Sequence, residues 1–182
     1  MQATSTPTVH ASCVLAGRSA ILIRGPSGSG KSRLASALIE AGNNGTSPTA
    51  RLVADDRVHL FAAHGRLLAA APEGIQGKIE LRGFGIRQVE CEPLALVGLV
   101  VDLAAPDAGR MPEDAANSVE ISGVKLSRLP VAAGDEALPP VLAAISVLNH
   151  KWMFALAFGV LPNEYVRPRP SWQPHGPTPG SC

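Results

Sequence analysis

The sequence predicts an α/β fold: a mixed, mostly β core around a glycine-rich loop, with one helix after that loop and another near the C-terminus. Three observations predict it. A short β-branched run, Ala20-Ile21-Leu22-Ile23-Arg24, stops at Gly25-Pro26 and reads as a buried strand. Leu34, Ala35, Leu38 and Ile39 then recur near the 3.6-residue period, so residues 32–41 read as a helix. The remainder is mostly short apolar runs punctuated by Gly, Pro, Asn and Asp, until Pro139 or Pro140 opens a second helix at its favoured first-turn position.

In chain order, residues 9–15 are the first expected strand. Gly17-Arg18-Ser19 turns the chain, so that this run and residues 20–24 make a hairpin feeding the loop at Gly25. Gly42 stands where a left-handed helix end wants glycine. Residues 43–49 are a turn-rich insertion, and residues 51–54 a short strand ending at Asp55-Asp56. Residues 58–63 and 66–70 flank His64-Gly65 as a second hairpin. Residues 72–77 are loop, and residues 78–82 a short strand followed by Gly83-Phe84-Gly85-Ile86. Residues 94–103, β-branched and apolar, predict a central strand, whereas 104–117, rich in Pro, Asp and Gly, predict a loop. Residues 119–129 predict two strands turning at Ser122-Gly123, and the last helix runs to about Phe158, closed by Gly159 and Pro162.

With 182 residues the chain suits one domain, placed at residues 9–161 between a polar, frayed start (1–8) and a disordered tail (162–182) that holds six prolines. The hydrophobic share is 46% and the aromatic share 4%, so Ala, Val, Leu and Ile must fill the core. A net charge of +1 lacks the basic footprint of a nucleic-acid binder. No signal pattern and no apolar run of membrane-spanning length is present, which makes the cytoplasm the expected location. Cys13, Cys91 and Cys182 are too widely spaced for a disulfide framework or a zinc site. Likewise His59, His64, His150 and His175 have no ligand spacing, and Trp152, Phe154 and Phe158 read first as core packing on the last helix.

The chemistry starts at Gly25, Pro26, Ser27, Gly28, Ser29, Gly30, Lys31 and Ser32, which match G-x-x-x-x-G-K-[ST] in full. With a strand before and a helix after, this is a phosphate loop. Glycines let successive backbone N–H groups face inward, and the helix N-terminus adds its dipole. Lys31 sets a positive charge against the outer phosphates, and the Ser32 hydroxyl suits Mg²⁺. The expected ligand is ATP with Mg²⁺. Asp55-Asp56, at a strand end, supplies the acidic element such a site needs: one carboxylate can meet the metal while the other takes a proton.

Taken together, His10-Ala-Ser, the loop at 25–32, Leu52-Val-Ala-Asp-Asp-Arg-Val58 and Gly77-Lys-Ile-Glu-Leu-Arg-Gly-Phe-Gly-Ile86 resemble the catalytic domain of the HPr kinase/phosphorylase family over roughly residues 9–131. That family phosphorylates a serine of HPr, a small carrier of the sugar phosphotransferase system. The resemblance implies Asp56 as the base that takes the serine proton, with Asp55 in support. It implies Lys31 and Ser32 as holders of phosphate and Mg²⁺, Glu80 as a second metal ligand and His10 as an active-site histidine. Arg110, in Asp107-Ala-Gly-Arg-Met111, resembles a later family arginine that neutralises the transferring phosphate.

The departures are specific. The chain begins almost at the catalytic domain, as in short, N-terminally truncated forms; Arg33 follows Lys31-Ser32 where an acidic residue is common; and Pro130-Val131 leads into Ala-Ala-Gly134-Asp135 where the family has an arginine associated with dephosphorylation. The implied activity is therefore a protein serine kinase acting on an HPr-like carrier, with phosphorolysis doubtful and a homo-oligomer possible. Two readings from other classes stand beside it: a non-catalytic ATP-sensing module and a small-molecule kinase.

Overall fold

The computed structural model describes residues 7–109 and 114–157. The expected tail, most of the expected frayed start, the close of the last helix and Arg110 lie outside that range; Thr8, placed in the frayed start, is within it and in a strand. The elements run β1 (Thr8–Val9), β2 (Ser12–Ala16), β3 (Ser19–Arg24), α1 (Lys31–Asn43), β4 (Ala50–Ala54), β5 (Val58–Ala63), β6 (Arg66–Ala70), β7 (Lys78–Leu81), β8 (Gly85–Gln88) and β9 (Ala95–Leu103). A 3₁₀ turn (Asp114–Asn117), β10 (Ser118–Ile121), β11 (Val124–Val131) and α2 (Leu138–Ala157) follow. This is the expected α/β fold, a mixed β core with a helix after the loop and another near the C-terminus.

Nine strands form one curled sheet in the order β1-β5-β6-β9-β3-β2-β4, with β11 also paired to β9 and β10 to β11. β3, β9 and β11 run parallel, and every other pairing is antiparallel. β7 and β8 make a separate hairpin. One consequence positions the site. β2 is antiparallel to both β3 and β4, so β3 and β4 end at the same edge of the sheet. β9 and β11, parallel to β3, end there too, and β2 begins there.

The central strands of the sheet are buried on both faces. Ile21 and Ile23 of β3 pack with Leu34 and Leu38 of α1 and with Val141 and Ile145 of α2. Ala20 and Leu22, pointing the other way by strand alternation, pack with Val53, Leu67 and Val100. Such two-sided burial explains why β3 and β9 read as nearly continuous apolar runs. Gly98 fits this crowding: a Cβ there would stand 2.7 Å from the Ser19 side chain. Cys13 is completely buried, as expected of a packing thiol, and burial pushes its pKa up.

Three expectations are corrected. The first strand is broken at His10-Ala11, leaving His10 exposed at a bend. The exposed strand β8 follows the turn at Gly83-Phe84; with all four residues on the surface it has no apolar alternation to read. Gly42 is not the left-handed helix end. That conformation falls at Gly45, φ 72°, while the N–H groups of Asn44, Gly45, Thr46 and Ser47 reach back to the carbonyls of Glu40, Gly42 and Ala41. Gly42 lies inside α1 because a Cβ there would meet the Ala50 nitrogen at 2.6 Å. Gly→Ala within a helix ordinarily stabilises by about 0.5–1 kcal/mol. Here the sign reverses: Gly42→Ala is expected to destabilise by about 1–3 kcal/mol through overpacking. A lower urea midpoint in equilibrium unfolding checks this, and an unchanged or higher midpoint contradicts it.

Candidate active site

The site gathers where β2 begins and β3 and β4 end. From β3 the chain enters Gly25 to Gly30 and turns into α1. Gly25, Gly28 and Gly30 have φ of 148°, 79° and 96°, a region that residues with a Cβ rarely adopt. At Gly25 a Cβ would also strike Ser29 Oγ at 2.7 Å and the Leu103 carbonyl at 2.8 Å. Gly30 caps α1 with its backbone alone, and Leu34 N donates to its carbonyl at 2.9 Å. The first amides of α1 are thus directed into the concavity of the loop.

Lys31, the first residue of α1, is 7% exposed. Its Nζ donates to the carbonyls of Gly25 and Pro26, each at 3.0 Å, so the ammonium spans the mouth of the loop. Ser29 Oγ is buried with no hydrogen-bond partner, an orphaned donor within the loop itself. Ser27 and Pro26 are exposed on the rim.

Asp55 and Asp56 diverge. Asp55 is buried; its Oδ1 accepts hydrogen bonds from Ser12 Oγ at 2.6 Å and Ser32 Oγ at 3.0 Å. Its Oδ2 accepts from the backbone N–H of Glu80 at 3.2 Å. One carboxylate therefore ties the start of β2, the head of α1 and the β7–β8 hairpin together. Asp56 adopts a left-handed backbone, φ 65°, which swings its carboxylate outward; the side chain is 72% exposed and lies 3.3 Å from His10 Nε2. The sheet edge thus unites Lys31, Ser32, Asp55, Asp56 and His10. Glu80 joins through its main chain, with its side chain exposed. Arg110 lies outside the described residues.

The oxygen donors here, the Ser32 hydroxyl and neighbouring carboxylates, have the hard chemistry that Mg²⁺ prefers. Among the described residues no group of three or more His, Cys, Asp or Glu side chains converges as a metal cage.

Two features escape sequence reasoning. Ser12, a lone serine in a short apolar strand, carries no local signal, yet it is one of two hydroxyls on Asp55. Beneath the loop, Arg24 donates to both oxygens of Asp102, at 2.7 and 2.8 Å, and Arg128 Nε donates to Asp102 Oδ2 at 2.5 Å. Arg128 also donates to both oxygens of Asp107 and to the Ala116 carbonyl. Charges on three parallel strands and a following loop, far apart in sequence, leave no local signal. Burial alone would raise the pKa of Asp102, but the hydrogen bonds and charges of Arg24 and Arg128 outweigh it and hold the carboxyl below the ordinary carboxylate value. Hydrogen bonding from Arg128 lowers Asp107 as well.

Since both folded-state values are depressed, the network contributes stability above the ordinary carboxylate range and loses it as pH falls through the lowered values. Urea midpoints followed from neutral pH down to about pH 2, past the lowered carboxyl values, are expected to fall, and to fall less in Arg128→Met. Equal acid sensitivity in the two proteins contradicts the assignment.

A comparison with protein families matches residues 2–153 to the model of the HPr Serine kinase C-terminal domain. HPr kinase/phosphorylases of Streptococcus uberis and Streptococcus equinus are 30% and 35% identical over 142 residues, 72% of this chain and 44% of each relative. The chain thus spans less than half the length of these curated relatives. The solved HPr(Ser) kinase/phosphatase of Coxiella burnetii superposes with a TM-score of 0.62 at 26% identity, covering 81% of this chain and 98% of that one. Among the described residues no helix is long and apolar enough to cross a membrane. With a glycine-rich loop and an Asp-Asp pair at one sheet edge, and a family match over most of its length, the chain belongs to the HPr Serine kinase C-terminal domain family.

Proposed function

We propose that this protein transfers the γ-phosphoryl group of ATP to a serine hydroxyl of an HPr-like carrier protein. The observation that carries the proposal is the divergence of Asp55 and Asp56: one carboxylate inward on Ser32, the next outward at the same edge beside His10. A sensor that only bound nucleotide would need no second, solvent-facing carboxylate there. The likeness to HPr kinase/phosphorylases supports the choice of acceptor.

Phosphoryl transfer rests on positioning and charge neutralisation more than on covalent chemistry. The loop amides and Lys31 hold the triphosphate. Asp55 fixes the Ser32 hydroxyl, and Ser32, with Glu80 as a second donor, would hold Mg²⁺. When bound, that ion neutralises phosphate charge. Asp56 orients the acceptor hydroxyl and takes its proton as the new P–O bond forms and the bond to the leaving ADP breaks. His10, 3.3 Å away, fixes the Asp56 carboxylate. Transfer toward the carrier dominates over phosphorolysis, because residues 132–134 after β11 offer no cation.

Incubation with γ-labelled ATP, Mg²⁺ and purified HPr tests this. Label on an HPr serine is the expected result. Binding of ATP without transfer, or label only on a metabolite, refutes it.

A further inference from the structure

Arg24, Asp102 and Arg128 form a row across β3, β9 and β11. The register sets Arg24 opposite Asp102, and Arg128 opposite Val100, two residues before Asp102. Strand alternation therefore turns all three side chains to one face, the one away from α1. Leu22 and Val100, the preceding positions on that face, are completely buried alkyl groups. More alkyl groups would continue this packing, and a part-buried ion network is a weak source of stability beside well-packed apolar residues. What the charges add is direction. Arg24 grips both Asp102 oxygens with its fork, and Arg128 takes Asp102 Oδ2 and both oxygens of Asp107. Two-point contacts between planar groups fix orientation as well as distance.

The row ends on the glycine-rich loop. Arg24 is the last residue of β3, and Gly25 is the first of the loop. On β9, Asp102 is followed by Leu103, whose carbonyl stands 2.8 Å from where a Gly25 Cβ would be, so both strand ends bear on the loop entry. The carbonyls of Gly25 and Pro26 are in turn the acceptors of Lys31 Nζ. Ser29 N also donates to the Pro26 carbonyl, at 3.2 Å. An unbroken series of contacts thus runs from Arg128 through Asp102 and Arg24 to the seat of Lys31.

We infer that Asp102 is a positioning residue for phosphoryl transfer: through Arg24 it fixes where the loop begins, and so where Lys31 and the loop amides meet the transferring group. The inference rests on the phosphate reading of the loop and adds the residues that set the loop in place. In this role none of the three touches substrate; Asp102 acts through Arg24, and Arg128 holds Asp102 from the other side. The effect belongs in the rate. Ground-state binding is shared among several amides and Lys31 and tolerates a small displacement, whereas a misplacement of about 1 Å in the reacting geometry costs about 10²-fold.

Two variants separate positioning from support, each read by urea unfolding at neutral pH, ATP titration with Mg²⁺ and single-turnover transfer to HPr. Arg24→Lys keeps the charge beside Asp102 and loses the fork. It is expected to leave the urea midpoint and ATP affinity nearly unchanged and to slow transfer by about tenfold or more. The triple change Arg24→Met, Asp102→Leu and Arg128→Met replaces the row with alkyl groups. Its midpoint is expected to match or exceed that of the unaltered chain, since apolar replacement of a whole ion network is often neutral or stabilising, while transfer stays slowed by about 10²-fold. Asp102→Leu alone strands two arginines and lowers the midpoint; adding the two methionines recovers stability without recovering the rate. A row that only supports the fold gives the opposite result, with rate returning as the midpoint returns. Transfer at the unaltered rate in Arg24→Lys, recovery of rate with stability in the triple variant, or a loss of ATP affinity equal to the loss of rate overturns the inference. Should the triple variant not fold, Arg24→Lys still decides. If the unaltered chain itself binds no ATP, or binds it and transfers nothing to HPr, the functional reading fails first and the inference falls with it.

Discussion

Asp56→Asn is expected to slow phosphoryl transfer to HPr serine by about 10²–10⁴-fold, the usual contribution of a positioned base, while leaving ATP affinity unchanged. Asparagine has the shape of aspartate and tolerates the left-handed backbone that Asp56 adopts at φ 65°, so the loss reports the missing proton acceptor rather than a moved chain. Its neighbour gives the contrast. Asp55 is buried and accepts three hydrogen bonds, so Asp55→Asn disturbs Ser12, Ser32 and the Glu80 backbone together and lowers stability as well as activity. Single-turnover transfer measured beside nucleotide titration separates the two. Retained transfer in Asp56→Asn, or an equal loss of transfer and binding, contradicts the role.

Lys31→Ala is the second large effect. It removes the cation at the mouth of the loop and the two hydrogen bonds by which Nζ joins the Gly25 and Pro26 carbonyls. Loss of one preorganised electrostatic group costs about 10²–10³-fold in transfer rate. Here ATP affinity falls too, because the same charge serves bound substrate and transition state. Lys31→Arg keeps the charge but replaces a compact ammonium with a planar fork, so it recovers affinity in part and transfer hardly at all. Isothermal titration and a transfer assay on both variants suffice; unchanged ATP affinity in Lys31→Ala refutes the loop assignment.

What the sequence made legible follows the range of the signals. The glycine-rich loop, its flanking strand and helix, and the turn at His64-Gly65 are each encoded within a few consecutive residues, and each stands where the pattern placed it. The strand break at His10 left no mark, because Val9 to Cys13 carries no Gly or Pro and the bend is imposed by the pairing of β1 with β5 and of β2 with β3 and β4. Gly42 was ambiguous for a similar reason: a glycine near a helix end can be a cap or a close contact, and only the approach of Ala50 decides. The Arg24–Asp102–Arg128 network joins segments separated by tens of residues, brought together by parallel pairing that no local pattern announces.

The backbone of Asp56 has a further consequence. Outside glycine, a left-handed residue carries a conformational cost, and aspartate bears it more easily than most. A glycine at this position would relax the turn after β4, yet remove the carboxylate proposed as the base. The fold therefore holds a small reserve of stability that it forgoes at one position. A selection for robustness alone would erase the carboxylate there first.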